Sequence, residues 1–341
     1  MAESYGWAGK ILRVNLTTGE ITTQDDEKYH KYIGGMGMAY RIMYEEAPME
    51  LDPYDEKALV IFGVGPLTGA GVPCSGRMNV TFRSTWSKGH SIIDAHMGGH
   101  IGSMLKYAGY DGIVVSGISE KPVYLRIEDG EVSLEDASEI WGKGTFAANK
   151  WMVEQNGREF ETASIGPAGE KKVLLAAIMN DKDRAAGRSG VGAVMGSKKL
   201  KAIVVKATRK KLDNIADLDA LKVAAKNAMD VLKANPVTGS GLRQLGTAVL
   251  VNIVNNIGAF PTKNWQESYY DKADDISGET LAEKYLVKPG ACHRCPIACG
   301  RVVNVNGKVV GGPEYEPLWA YGGNCGNNDL NVIDECNMLC N

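Results

Sequence analysis

Lys10-Ile11-Leu12-Arg13-Val14-Asn15-Leu16-Thr17-Thr18-Gly19-Glu20-Ile21-Thr22 decides how the first half of this chain is read. Apolar and polar side chains alternate from Lys10 to Leu16, the two-residue period of a strand. Thr17-Thr18-Gly19 then turns the chain into Glu20-Ile21-Thr22, so the stretch predicts a hairpin. Similar strand patterns recur at residues 58–62, 78–82, 112–115, 123–127, 173–178 and 202–205. Asp129-Gly130 marks a second hairpin. Between them lie glycine-rich turns: Gly34-Gly35-Met36-Gly37, Gly65-Pro66-Leu67-Thr68-Gly69, Gly98-Gly99 and Gly166-Pro167-Ala168-Gly169. Helices are expected over residues 30–46 and 99–107.

The character changes near Thr208. Lys210-Lys211-Leu212-Asp213-Asn214 reads as a linker, and from Asp217 the apolar residues Leu218, Leu221, Ala225, Met229 and Leu232 fall at helical spacing. Asp217 suits the N-cap. Further helices are expected over residues 243–257 and 280–286. The reading is therefore α+β, with a β-rich domain over 1–208 and a mostly helical domain over 209–341. Asp329 opens a helical run through Leu330, Ile333, Met338 and Leu339 that meets no cap before Cys340-Asn341, so the chain is expected to be truncated.

Composition narrows the function. Lys and Arg total 38 against 41 Asp and Glu, a net charge of −3, which lacks the electrostatic footprint of a nucleic-acid binder. No stretch approaches the ~18 consecutive apolar residues of a membrane helix. Met1-Ala2-Glu3-Ser4-Tyr5 carries neither the basic nor the apolar region of a signal peptide, so a cytoplasmic location is expected. In that setting seven cysteines read as thiols or metal ligands rather than disulfides. Gly is 41 of 341 residues, about 12% against a background of about 7%.

Three segments carry chemistry. Cys292-His293-Arg294-Cys295-Pro296-Ile297-Ala298-Cys299 spells C-x2-C-x3-C. Three thiolates in eight residues can wrap one face of an iron–sulfur cluster, with a fourth ligand from elsewhere. Zinc, with His293 as a further ligand, and buried unligated thiols are the alternatives. Arg184-Ala185-Ala186-Gly187-Arg188-Ser189-Gly190-Val191-Gly192-Ala193-Val194-Met195-Gly196 places two arginines inside a glycine run. Its third glycine comes one residue late for a dinucleotide fingerprint, and an anion cradle is the better reading. Arg77, in Cys74-Ser75-Gly76-Arg77, sits in a similar setting. Gly311-Gly312-Pro313-Glu314-Tyr315-Glu316 offers either a general base or a pair of surface carboxylates.

Together these segments resemble the aldehyde:ferredoxin oxidoreductases, the tungsten bis-pterin enzymes of anaerobes. The resemblance begins at Gly6-Trp7-Ala8-Gly9-Lys10 and runs through Ala108-Gly109-Tyr110-Asp111, Ile165-Gly166-Pro167-Ala168-Gly169-Glu170 and Ala177-Ile178-Met179-Asn180-Asp181. It continues through Gly246-Thr247-Ala248-Val249-Leu250-Val251-Asn252, the cysteine motif and Gly312-Pro313-Glu314-Tyr315-Glu316. It implies a first domain of two β-sheets forming a base for a bis-pyranopterin tungsten or molybdenum cofactor, followed by mostly helical domains. Mg²⁺ is a candidate bridge between the pterin phosphates. By position, Arg77, His96, Gly98, Arg184, Ala185, Gly187 and Arg188 match residues around one pterin and its phosphate. His96 falls where the prototype has Asn. Cys292, Cys295 and Cys299 match three ligands of a [4Fe–4S] cluster, and Glu316 matches a carboxylate beside the metal, expected to be buried with a raised pKa.

The implied reaction is oxidation of a small aldehyde to a carboxylate, with electrons leaving singly through the cluster to ferredoxin or a similar acceptor. A 2-hydroxycarboxylate or other non-aldehyde oxidoreductase of the same family is the alternative. A non-catalytic electron-transfer or cofactor-binding subunit is the alternative of a different class. A homodimer or a complex with an iron–sulfur subunit is also implied. Asn341 replaces an acidic residue touching the second pterin. Glu335-Cys336-Asn337-Met338 lacks the His of an E-x-x-H iron site, so a bridging iron is not expected. The fourth cluster ligand is expected beyond residue 341.

Overall fold

The hairpin forms as expected: Lys10–Asn15 (β1) and Glu20–Asp25 (β2) pair antiparallel, Lys10 opposite Asp25 and Asn15 opposite Glu20. The Asn15 side chain accepts from the backbone of Thr17 and Thr18, and Gly19 takes the left-handed φ of +73° that closes the turn. The computed structural model describes residues 4–48, 50–180 and 183–340. Asp181 of the glycine–arginine approach and Asn341 lie outside the described residues.

β1 joins Val60–Gly63 (β3), Met78–Arg83 (β4), Ile92–Met97 (β5) and Gly112–Ser116 (β6) in a mixed sheet of order β2-β1-β6-β3-β4-β5. A second sheet of order β11-β10-β9-β12-β7-β8 contains Val123–Glu128 (β7), Glu131–Asp136 (β8), Glu161–Ser164 (β9), Ile178–Asn180 (β10), Arg184–Ala186 (β11) and Leu200–Lys206 (β12). Asp129 and Gly130, at φ +49° and +93°, turn β7 into β8.

The sheets share one core. Leu12, Val14, Phe62, Val80, Ile113 and Val115 of the first meet Leu125, Ile127, Ala163, Ile178, Ile203 and Val205 of the second. Each of the larger side chains contributes roughly 1.5–3 kcal/mol when fully buried. The outer faces are covered as well. Gly35–Glu46 (α1) lays Met38, Ala39, Ile42 and Met43 on Ile11, Ile61 and Val114. Ile101–Tyr107 (α2) adds Ile101 and Leu105 to the shared core. Thr145–Asn156 (α3) packs Ala148 and Met152 on Tyr124, Phe160, Ala202 and Val204. Pro167–Glu170 (α4) and Val191–Ser197 (α5) approach so closely that a Cβ on Gly196 would fall 2.0 Å from the Gly169 carbonyl oxygen. Strands covered on both faces read as continuous apolar runs such as Ala202-Ile203-Val204-Val205.

A buried polar network fixes the first described residues. Lys106 and Asp111, both fully buried, form an ion pair. Asp111 accepts from the backbone of Ala8 (2.6 Å) and Gly9 (2.9 Å), while Lys106 donates to the Gly6 carbonyl (3.0 Å). Trp7 stacks on His30 at 4.1 Å, and His30 Nε2 lies 2.7 Å from Asp26. Burial, with the Asp111 carboxylate close by, pushes Asp26 up to about 8.

Compact units span Met1–Leu221 and Lys222–Asn341, and the division falls inside Leu218–Ala234 (α6). Asp217 accepts from the Ala220 N–H at 2.8 Å, as an N-cap does. The second unit holds Leu242–Leu245 (α7), Leu250–Asn256 (α8), Gly278–Lys284 (α9), Tyr315–Pro317 (α10) and Leu330–Cys340 (α11). It also holds an antiparallel sheet of Leu286–Gly290 (β13), Gly300–Val305 (β14) and Lys308–Gly311 (β15). Its own core gathers Ala248, Val251, Phe260, Ile276, Leu281, Val303, Leu318 and Ile333. Among the described residues no helix is long and apolar enough to cross a membrane.

Three expectations are corrected. The helix over 30–46 breaks: a 3-10 turn covers Glu27–Tyr32, then Ile33 and Gly34 take positive φ before α1 begins. A Cβ on Gly34 would lie 2.7 Å from the Val64 carbonyl oxygen, so a glycine passes there. The helix over 243–257 is split at Gly246, whose φ of +68° ends α7. The strand over 173–178 exists only from Ile178. The Leu174 carbonyl instead accepts from Trp86 Nε1 at 2.6 Å, and Val173, Leu174 and Leu175 lie exposed.

Candidate functional site

In the first unit, the β4–β5 register sets Asn79 opposite His96 and Met78 opposite Met97. Arg77, one residue before β4, and Gly98, one residue after β5, therefore emerge at the same end of the sheet. Asn180, at the end of β10, donates to the Gly98 carbonyl at 2.5 Å. A Cβ on the adjacent Gly99 would meet that amide at 2.3 Å. Asn180 pairs with Arg184 across β10–β11. β5 packs against β11 and the turn Arg188–Gly190. Thr85 Oγ1 donates to the Ser189 carbonyl at 3.2 Å, fixing that turn from the β4–β5 loop. The structure thus brings Arg77, His96, Gly98, Arg184, Ala185, Gly187 and Arg188 to adjoining sheet edges.

Their chemistry could hold an anion on this shelf. Arg77, His96, Ala185, Gly187 and Arg188 are exposed, and Arg184 lies near Asp183 (3.7 Å). Gly187 has an ordinary φ of −98°, and among the described residues nothing lies within 4 Å of where its Cβ would stand. Neither backbone conformation nor internal packing requires glycine there, whereas close approach of a ligand to the backbone would. The dinucleotide reading of Gly190-Val191-Gly192 has no βαβ unit behind it. The parallel neighbour of β12 is β7, and β11 is an edge strand of three residues.

In the second unit, Cys292, Cys295 and Cys299 lie on the loop between β13 and β14, closed by Gly290 opposite Gly300. All three are half-buried and outside any disulfide. The Cys295 N–H donates to the Cys292 carbonyl at 3.0 Å, and Arg294 and Ala298 take positive φ to wrap the chain. Arg301, only 2% exposed, holds the loop from beneath. Its guanidinium donates to the carbonyls of Ala298 (2.6 Å), Gln244 (2.7 Å), Gly300 (2.8 Å) and Arg243 (3.0 Å). Arg243 in turn donates to the Pro296 carbonyl at 2.9 Å. Sequence reasoning missed Arg301, because nothing separates a buried loop-organising arginine from a surface one in the residues around it. Among the described residues no three His, Cys, Asp or Glu side chains gather tightly enough to hold a single metal ion.

Glu316 sits in the first turn of α10, exposed. The burial expected of it is not supplied by the described residues. The preceding Tyr315 N–H donates to Thr247 Oγ1 at 2.9 Å, and the Tyr315 ring meets Phe260 edge-on. Gly246-Thr247 therefore touches both neighbours: the Thr247 hydroxyl anchors α10, and a Cβ on Gly246 would fall 2.7 Å from the Cys299 carbonyl oxygen.

Comparison with known proteins places the chain in a family. The family model described as "Aldehyde ferredoxin oxidoreductase, N-terminal domain" matches residues 11–207, and that for domains 2 and 3 matches residues 223–341. The tungsten-containing aldehyde ferredoxin oxidoreductases of Pyrococcus furiosus and Thermococcus kodakarensis are each 46% identical over 98% of this chain and 56% of their own length. The active-site complex BamBC of benzoyl coenzyme A reductase, solved with 1,5-dienoyl-CoA, is similar with a TM-score of 0.85 and 27% identity. That match covers 98% of this chain and 52% of that one. The chain spans little more than half the length of the relatives it matches. It belongs to the aldehyde ferredoxin oxidoreductase family.

Proposed function

We propose that this chain is the cofactor-binding half of a tungsten or molybdenum bis-pyranopterin oxidoreductase that converts aldehydes to carboxylates. The 46% identity to tungsten-containing aldehyde ferredoxin oxidoreductases carries this reading. The shelf chemistry is compatible with it. Arg77, Arg184 and Arg188 would neutralise the pterin phosphate, and each charge-assisted contact is worth roughly 1.5–3 kcal/mol. Gly98, Ala185 and Gly187 leave the backbone open to the ring system. Cys292, Cys295 and Cys299 would hold a [4Fe–4S] cluster with a fourth ligand supplied by the remainder of the protein.

When bound, the pterin–metal group would supply two-electron chemistry, and a [4Fe–4S] cluster held by Cys292, Cys295 and Cys299 would supply single-electron transfer toward a ferredoxin. The chain's own part in the reaction is proton handling and positioning. Glu316 takes the proton from the water that adds to the aldehyde carbon. Arg301 keeps the cysteine loop in one conformation. The similarity to the benzoyl coenzyme A reductase complex supports a second reading, a non-aldehyde oxidoreductase of the same family.

Anaerobic purification of the full-length protein tests the assignment. Tungsten or molybdenum, iron and pterin are expected together, and Cys295→Ala should abolish the ~400 nm iron–sulfur absorption. Stoichiometric zinc without iron would overturn the cluster. With benzyl viologen as acceptor, Glu316→Gln should lower kcat by ~10²–10⁴ at unchanged metal content, while Glu314→Gln loses far less. Near-full turnover of Glu316→Gln removes it as the base. A panel of aldehydes and 2-hydroxycarboxylates separates the two substrate classes.

A further inference from the structure

The longest helix among the described residues, α6, runs for 17 residues, and none of them is buried. Its apolar residues are nonetheless ordered. Leu221, Ala225, Ala228, Met229 and Leu232 recur at intervals that put them on one face. These five are half-buried, and Leu218 at the head of the same stripe is 53% exposed. Ala225 and Ala228 leave a notch between Leu221 and the pair Met229 and Leu232. A second helix can seat a ridge of side chains in such a notch. Away from the stripe, Lys226 pairs with Asp230 at 2.9 Å, so those two charges are met within the helix.

A further helix of the second unit repeats the pattern. α8 sinks Val251 and Asn255 into the core, while Leu250, Ile253 and, at its end, Ile257 stay exposed along another side. In the first unit, by contrast, helices cover the outer faces of both sheets. Helices draw most of their stability from such packing, and a contiguous apolar face left open marks an interface.

The chemistry of the face and the extent of the family match identify the occupant. The stripe holds no ionisable side chain, whereas electrostatic complementarity steers and selects transient partners. An apolar face of this kind fits a permanent contact, built like a domain core. The family model for domains 2 and 3 begins to match at residue 223, inside α6, and the 46% identical relatives are matched over only 56% of their length. Much of the body that α6 opens therefore belongs to the segment that follows Asn341.

We propose that the 221–232 face of α6 is the docking site of an apolar helix from the segment of this polypeptide that follows Asn341, which makes α6 an interior helix of the whole protein. The inference rests on family membership alone and not on the bis-pterin reading.

The test uses the full-length protein. A photoreactive benzoylphenylalanine replaces Leu221, Met229 or Leu232 in turn, and Val223 on the opposite face as the control. On irradiation, at least one of the three stripe positions should cross-link to a peptide from beyond residue 341. The link should form within a single polypeptide and at a yield independent of protein concentration, and Val223 should give none. In the unmodified protein, amide exchange over residues 221–232 should be slowed by on the order of a hundredfold or more relative to an unstructured chain. Capture at none of the three positions overturns the inference. So do cross-links confined to residues 1–341, two-chain products that grow with concentration, or exchange at the unstructured rate. A purified protein carrying no pterin would overturn the bis-pterin reading and leave these readouts standing.

Discussion

Gly187 and Gly246 are both glycines for reasons that lie in their surroundings, and the reasons differ. Gly187 has a right-handed backbone and open space around it, so alanine is conformationally acceptable there. Gly187→Ala should raise the stability of the cofactor-free protein by ~0.4–1 kcal/mol through the unfolded chain. It should lower the pterin content of the loaded protein, because the added methyl stands on the shelf. Thermal midpoints of the two forms and metal analysis check both halves. At Gly246, φ +68° and ψ −161° exclude other residues whatever the space. The residue types of the shelf were legible as arginines inside glycine runs. The Arg301 cradle of the cysteine loop was not, because it depends on which turn of α7 meets β14, and single-residue patterns do not carry that.

Strands covered on both faces were the most legible elements. β1, β4, β6, β7 and β12 fall where alternation or apolar runs place them. The run Val173-Leu174-Leu175 reads equally well as a strand, yet it forms a turn tied to Trp86. A short apolar run fixes no backbone conformation by itself. The helices over 30–46 and 243–257 were read through their breaks, because apolar spacing persists across Gly34 and Gly246 while the backbone turns away. Gly246→Ala should cost ~1–3 kcal/mol from its φ/ψ alone. The Cβ contact with the Cys299 carbonyl should also shift the cysteine loop. Denaturation midpoints of the full-length protein would show the first effect. A weakened ~400 nm band at unchanged protein concentration would show the second.

The whole first unit reads as helix, sheet, sheet, helix, and its buried charges make its stability depend on pH. Asp26 is pushed up to about 8 in the folded chain against 3.8 ordinarily. Between these values the folded state holds the extra proton, so stability falls as pH rises through that range. Burial lowers His30, which acts in the opposite sense only below its ordinary 6.5. Burial also lowers Lys198 to about 8, which opposes the Asp26 slope as pH nears 8, so from pH 6.5 to 7.5 the Asp26 effect should dominate, at no more than about 1.4 kcal/mol per pH unit. Asp26→Asn should remove this decline. Denaturation midpoints of both proteins across that window check it, and equal slopes would discount Asp26. The shelf itself joins β5 and β11, the outermost strands of their two sheets, each hydrogen-bonded to a strand on one side only. Such strands offer ladder groups to any passing chain. Two of them side by side give a newly made polypeptide a template for association with its neighbours. A ligand seated there would act as a lid on that template, so on the proposed reading delivery of the prosthetic group would bear on solubility during biogenesis as well as on turnover.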